Sequence, residues 1–210
     1  MKTAIVIPAY NEEKTISAVV KKAKKFGSVI VVNDASRDKT AVFARTAGAF
    51  VINHKVNRGL GGSLRTGFDA AIKKGFDIVI TLDADGQHNP EDIPKFIEKI
   101  DNNYDFVLGK RDLSKYPFVK KIGNFFLNLL TNFVTGTTLS DTESGFRAFK
   151  ASSLKKLKLK SERYEIAAEI IREVGRNKLR CANVSVSSPV YRAGVGVIDG
   201  VKNFLYILKR

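Results

Sequence analysis

The chain has 210 residues, 44% of them hydrophobic, which is enough for one sizeable α/β core but hardly for two independent ones. A single cysteine, Cys181, excludes an internal disulfide, and with only His54 and His88 beside it a Cys/His zinc site is disfavoured. The formal net charge of +15 is unevenly spread: residues 1–109 hold 16 Lys/Arg against 13 Asp/Glu, whereas residues 110–210 hold 20 against 8. The second half is therefore a basic surface, although charge alone does not choose among nucleic acid, an anionic leaflet and a phosphorylated substrate.

The sequence opens with Met1-Lys2-Thr3 and an apolar run, without the charged region, long apolar core and cleavage site of a signal peptide. It reads as a first strand, Thr3–Pro8. Pro8-Ala9-Tyr10-Asn11-Glu12-Glu13 closes that strand and opens a helix over Glu12–Lys25, setting an aromatic ring, an amide and carboxylates where a nucleoside could stack and hydrogen-bond. A second strand, Val29–Asn33, runs into Asn33-Asp34-Ala35-Ser36-Arg37-Asp38 and a helix over Arg37–Ala47. Taken singly, Asn11 and Ser36 have a plainer role as helix caps.

After a third strand, Phe50–Asn53, comes the glycine-rich piece Asn57-Arg58-Gly59-Leu60-Gly61-Gly62-Ser63-Leu64-Arg65-Thr66-Gly67. Leu64 breaks a G-x-G-x-x-G pattern and no Gly-Lys-Ser/Thr follows, so neither nucleotide fingerprint is met. The piece reads as a tight loop leading into a helix over Leu60–Lys74, either beside a donor or as a turn without a ligand. The fourth strand, Ile78–Leu82, ends in Asp83-Ala84-Asp85-Gly86-Gln87-His88. Two carboxylates at i and i+2 beyond a strand end can hold Mg²⁺ or Mn²⁺ against a diphosphate, and a polar turn is the alternative. A helix with Pro90 at its first position extends to Ile100, and a fifth strand, Phe106–Gly109, follows.

This alternation of strands and helices predicts βαβ units in a mainly parallel sheet, with ligands beyond the carboxyl ends of the strands. Further on, Phe118, Ile122, Phe125, Phe126, Leu129, Leu130 and Phe133 recur at helical spacing between lysines and asparagines, giving an amphipathic helix over Tyr116–Thr135. That stripe faces either a membrane interface or the protein's own core. A helix over Glu165–Gly175, a strand over Ala182–Val190 and a short apolar tail, Val201–Leu208, complete the chain. Apolar stretches are broken well before the ~18 residues a membrane span needs, so no transmembrane helix is expected.

Pro8-Ala9-Tyr10-Asn11-Glu12, Asn33-Asp34-Ala35-Ser36-Arg37-Asp38, Asp83-Ala84-Asp85-Gly86-Gln87 and Ser144-Gly145-Phe146-Arg147 stand in an order and spacing that resembles the family 2 inverting glycosyltransferases, particularly the dolichyl-phosphate mannose and glucose synthase branch. The resemblance covers about residues 2–195 and implies a single GT-A domain, residues 1–110 serving the nucleotide sugar and metal and residues 111–210 the acceptor and membrane. It implies donor binding by Pro8, Ala9, Tyr10, Glu12, Asp34, Asp83 and Ala84, and a Mg²⁺ or Mn²⁺ ion on Asp85 and Gln87. Arg111, Lys121, Ser144, Arg147 and Arg192 are implied on the acceptor phosphate, with Asp83, Asp85 and Arg111 central to catalysis. Relatives often carry arginine where this chain has Lys120-Lys121, and the membrane-spanning tail of some relatives is absent.

The expected activity is transfer of a hexose from a nucleoside-diphosphate sugar to dolichyl or polyprenyl phosphate by a cytoplasmic enzyme peripherally bound to an anionic membrane surface. The basic surplus after residue 110 suits a phosphate acceptor better than a saccharide hydroxyl, the main alternative, because an alcohol would need a carboxylate to take its proton. A nucleic-acid-binding role rests on charge alone, with no recognised motif beside it, and is not expected.

Overall fold

The computed structural model describes residues 1–111, 128–129 and 131–187. Seven strands form one sheet: β1 (Thr3–Ala9), β2 (Ser28–Asn33), β3 (Phe50–Asn53), β4 (Ile78–Thr81), β5 (Phe106–Arg111), β6 (Arg147–Lys150) and β7 (Cys181–Val186). Their order is β3-β2-β1-β4-β6-β5-β7. All neighbours are parallel except β6, which runs antiparallel to both β4 and β5.

Helices cover both faces, which is why β1, β2 and β4 read as nearly unbroken apolar runs rather than alternating ones. Successive side chains of β1 divide between the two sides: Ile5 and Ile7 join one core, Ala4 and Val6 the other. The first core is closed by α1 (Ile16–Ala23), α2 (Thr40–Thr46) and α4 (Ile93–Asp101), through residues such as Val20, Ala44 and Phe96. The second is closed by α3 (Gly59–Lys73), α5 (Ala151–Leu154) and α6 (Ile166–Arg176), through Leu64, Phe68, Ile166 and Ile170.

The expected mainly parallel α/β sheet is present, with three local differences. Residues 12–15 form a turn before α1, because the N–H groups of Glu12 and Glu13 are drawn to Thr40 and Asp38 across the neighbouring loop. Pro90–Asp92 is a separate 3₁₀ turn ahead of α4. The strand β6 was not foreseen: Arg147 and Lys150 bracket only Ala148 and Phe149, too short an apolar stretch to signal a strand. Most of the Tyr116–Thr135 stretch, residues 188–190 of the expected Ala182–Val190 strand and the Val201–Leu208 tail lie outside the described residues. Residues 131–135 are helical, with Thr131 buried and Phe133 88% exposed. Among the described residues no helix is long and apolar enough to cross a membrane.

Candidate active site

Parallel pairing of β1 with β2 sets Ala9 opposite Asn33, so the two loops that follow start side by side. Asn11 and Ala35 both adopt positive φ, 56° and 59°, and turn their loops toward each other. The Asn11 N–H donates to Ser36 Oγ at 3.0 Å, and the Arg37 N–H donates to Asn11 Oδ1 at 2.9 Å. Asn11 and Ser36 therefore cap no helix; they stitch one loop to the other, and α1 and α2 start beyond Thr15 and Lys39. The Glu12 N–H reaches Thr40 Oγ1 at 2.7 Å, and the Lys39 N–H reaches Glu13 Oε2 at 3.0 Å. Slight burial pushes the Asp38 carboxyl up, but the Thr40 hydroxyl and the N–H groups of Thr40 and Glu13 outweigh it and hold it below the usual carboxylate range. On this double loop Ala9 is buried, Pro8 and Glu12 are half-buried, and the Tyr10 ring stays 46% exposed.

Asp34 is buried beneath the same loops. Its Oδ1 accepts from the Arg58 N–H at 2.8 Å and from His54 Nδ1 at 2.7 Å, and its Oδ2 accepts from the Gly59 N–H at 2.8 Å. Thr66 Oγ1 stands 2.9 Å from the other ring nitrogen of His54. Asp34 thus fastens the amino end of α3 to the end of β2. The glycine-rich piece belongs to this fastening: a Cβ on Gly61 would fall 2.2 Å from the Ser161 carbonyl oxygen, and the Gly62 N–H donates to the Glu162 carbonyl at 3.1 Å. Gly67 admits the Val6 side chain, and Gly59 and Gly61 admit another stretch of backbone. That stretch, residues 158–161, is itself held by two buried carboxylates, Glu169 accepting from the N–H groups of Lys160 and Ser161, and Glu173 from that of Lys158.

The acidic turn follows β4. Asp83 is partly open, while Ala84 is buried. His88 Nε2 donates to Asp83 Oδ2 at 3.2 Å, and the imidazole is itself buried against Phe146, ring centroids 5.3 Å apart. On its other side the carboxylate lies against Gly145, where a Cβ would stand 2.4–2.5 Å from its oxygens. A larger residue there must push the carboxylate aside. Thr81 Oγ1 donates to the Gly145 carbonyl at 2.6 Å, so β4 and the segment entering β6 hold the carboxylate from both flanks. Burial pushes the Asp83 carboxyl up, but the His88 hydrogen bond and the positive charges of His88, Arg147 and Arg111 hold it below its ordinary range. Asp85 accepts from the Gln87 N–H at 2.9 Å and from the Gln87 side-chain amide.

Two carboxylates offering hard oxygen donors at one turn fit Mg²⁺ or Mn²⁺, which are commonly bound by one or two carboxylates completed by phosphate oxygens and water. The nearest imidazole nitrogen, Nε2 of His88, is committed to Asp83, and no group of three or more His, Cys, Asp or Glu gathers among the described residues. The donor set therefore suits an ion completed by a diphosphate rather than a protein-enclosed one.

Arg111 ends β5 and forms a fork on Asp141, Nε to Oδ2 and Nη2 to Oδ1, both at 2.7 Å, while its own N–H donates to Oδ2 at 3.1 Å. The Asp141 side chain is only 1% exposed. Because β6 is antiparallel it brings its beginning, not its end, to this edge: Arg147 pairs with both Thr81 and Leu108. Arg147 is 2% exposed; its Nη2 donates to the Thr142 carbonyl at 3.4 Å, and its Nε has no hydrogen-bond partner among the described residues. Burial lowers the Arg147 pKa, against the opposing pull of Glu143, Asp83 and Asp141. Ser144 is fully buried beside it. Asp83, Asp85, Gln87, Arg111, Ser144 and Arg147 thus gather at adjoining strand ends, and Pro8, Ala9, Tyr10, Glu12 and Asp34 at the neighbouring pair. Lys121 and Arg192 lie outside the described residues. Sequence reasoning missed His54 and His88 as partners of the expected residues, and Asp141 as the partner of Arg111. The usable signal was that both histidines of the chain fall in loops that follow strands.

Residues 4–158 match the family model "Glycosyl transferase family 2". The UDP-N-acetylglucosamine–dolichyl-phosphate N-acetylglucosaminyltransferase of Methanococcus voltae is 34% identical, the alignment covering 97% of this chain and 94% of that one. The undecaprenyl-phosphate mannosyltransferase of Micrococcus luteus is 30% identical over 76% of this chain and 70% of its own. Among solved structures, glucosyl-3-phosphoglycerate synthase from Mycobacterium tuberculosis, crystallised with Mg²⁺ and uridine diphosphate, superposes with a TM-score of 0.78 at 20% identity, covering 98% of this chain and 79% of that one. That likeness carries the fold, a GT-A architecture.

Proposed function

This chain belongs to glycosyl transferase family 2, and on that premise we propose that it moves a hexose, with inversion, from a nucleoside-diphosphate sugar to dolichyl or polyprenyl phosphate at an anionic membrane surface. The observation that carries the reading is the meeting of the acidic turn after β4 with the arginines at the end of β5 and the start of β6, where Asp83 feels the charges of both Arg147 and Arg111. The two relatives whose names specify a dolichyl or undecaprenyl phosphate support it, as does the basic surplus after residue 110.

In this reading the whole chain acts as one domain on the cytoplasmic face. Pro8, Ala9, Tyr10 and Glu12 cradle the nucleoside on the stitched double loop that Asp34 anchors, and Asp83 with Ala84 receives the diphosphate and sugar. Asp85 and Gln87 hold Mg²⁺ or Mn²⁺, which when bound neutralises charge on the departing nucleoside diphosphate. The His88 imidazole and the closely packed backbone of Gly145 keep the Asp83 carboxylate still, so that no reorganisation is required as the bond from sugar C1 to the diphosphate oxygen breaks. The acceptor oxygen forms its bond to C1 from the opposite face.

No protein base is needed, because a phosphate monoester loses its second proton near pH 6 and is already nucleophilic at neutral pH. Its requirement is positioning by fixed cations, a role for Arg111, Lys121, Arg147 and Arg192 with Ser144. The test is to offer dolichyl phosphate in anionic vesicles with a panel of UDP- and GDP-sugars and Mg²⁺ or Mn²⁺, reading the lipid by mass spectrometry. A glycosylated lipid phosphate is expected; transfer only to saccharide hydroxyls would overturn the acceptor assignment.

A further inference from the structure

The geometry points to Asp92 as a positioning residue that couples the acidic turn of the donor site to the strand edge presenting the acceptor arginines; the inference rests on the acceptor reading of Arg111 given above. Asp92 closes the 3₁₀ turn Pro90–Asp92, whose cap, Asn89, directly follows Asp83–His88. Its N–H donates to the Asn89 carbonyl at 3.1 Å, so its backbone is fixed to the acidic turn. Its side chain points elsewhere. Oδ2 accepts from the Ser187 N–H at 2.7 Å, and Oδ1 accepts from Lys95 Nζ, which also donates to the Ser185 carbonyl at 3.2 Å. The carboxylate is buried, although it belongs to a loop with every opportunity to face water.

The place it grips is specific. Ser187 follows Val186, the last residue of β7, and Val186 is paired with Arg111 at the end of β5. Lys110 is paired with Ser185, the residue whose carbonyl Lys95 holds. A parallel edge strand ends with unpaired backbone groups, and here a buried carboxylate and an ammonium satisfy them. The clamp fixes how β7 finishes against β5, and so how Arg111 stands relative to Asp83 and Asp85 across the sheet edge. A buried carboxylate that merely supported the fold would be equally needed for donor binding and for acceptor use. One that sets the acceptor edge would be needed chiefly for the latter.

The experiment uses the full chain with Asp92→Asn, and separately Ser187→Pro, which deletes the same N–H donor while leaving the carboxylate. Donor-side integrity is read by calorimetric binding of UDP and GDP with Mn²⁺, and acceptor use by steady-state transfer to dolichyl phosphate. Both variants are expected to lose about tenfold or more in kcat/KM for the lipid phosphate, the cost of one charge-assisted contact, with nucleotide affinity within about twofold of the parent. The double variant should lose little beyond the worse single one, since both break one bond. Unchanged lipid kinetics in either folded variant, or equal loss of nucleotide affinity and lipid transfer, would overturn the inference. If the parent chain itself glycosylates only hydroxyl acceptors, the function proposed above fails instead.

Discussion

Replacing Arg111 tests two roles at once, and the structure allows them to be separated. Its fork supplies two of the three hydrogen bonds that Asp141 receives from this residue, and the Asp141 side chain is almost wholly buried. Among the described residues, Arg111→Ala leaves that carboxylate one hydrogen bond, from the backbone N–H, and the nearby charge of Arg147, and removing one partner of a buried ion pair costs about 3–5 kcal/mol. The Arg111 side chain is itself 19% exposed, so water can reach the vacated space and the lower end, about 3 kcal/mol, is expected. Against a net stability of about 5–15 kcal/mol the variant still folds, with its melting temperature lowered by about 6–12 °C. Adding Asp141→Asn removes the stranded charge and should restore about 2 kcal/mol, seen as coupling in a denaturant-melt cycle over the four variants. Transfer to lipid phosphate should fall by about tenfold or more in Arg111→Ala and stay low in the double variant, because the acceptor contact is still missing. Recovery of transfer together with stability would mean that Arg111 serves only to neutralise Asp141, and would refute its role on the acceptor.

Asp85→Asn, or EDTA on the parent protein, should abolish transfer without lowering the melting temperature; undiminished turnover in EDTA would remove the metal from the mechanism. Gly145→Ala must push the Asp83 carboxylate aside, and a loss of about tenfold or more in nucleotide-sugar affinity is expected by calorimetry. An affinity equal to the parent's would show that the site does not use that carboxylate in its present place. Asp83 has a folded pKa below its unfolded value, so the unfolded chain binds more protons in the window between the two. Its stabilising contribution is accordingly complete above about pH 4 and is lost only as the pH falls through the lower folded value. Asp83→Asn should therefore be less stable than the parent at neutral pH by a constant margin that closes only below about pH 4; a margin that changes between about pH 5 and 7 would contradict this.

The strand ends were legible in the sequence because β1, β2 and β4 are covered on both faces and must be apolar throughout, which puts the first polar residues after each run at the carboxyl edge. Asp34, Asp83 and Asp85 follow from that rule alone. What each carboxylate is bound to was not legible. His54 reaches Asp34 from a different loop, and Gly145 meets Asp83 from 62 positions away, contacts that pattern and propensity do not encode. The four-residue β6 was hidden for a related reason: it is held in the sheet by partners on both sides rather than by its own alternation. The setting of Arg147 also depends on this unseen strand. Once β6 fixes Arg147 beside Leu108, the fork on Asp141 falls to Arg111, while Asp141 and Glu143 still act on Arg147 through their charge.

The reversed direction of β6 has an evolutionary consequence. The chain leaves the sheet at Arg111 and re-enters at Arg147, and since Arg147 is registered against Leu108, both points lie at one edge of the sheet. Whatever intervenes is attached like a cassette, its two ends side by side and latched by the Arg111–Asp141 fork. Changing the length of such an excursion is thermodynamically cheap, each doubling costing only about 0.6 kcal/mol of closure entropy. On the acceptor reading proposed above, selection can therefore rewrite residues 112–140 while Asp141, Gly145, the stitched loops and the acidic turn stay as they are. The same boundaries mark where a segment from a relative could be grafted to exchange one acceptor for another.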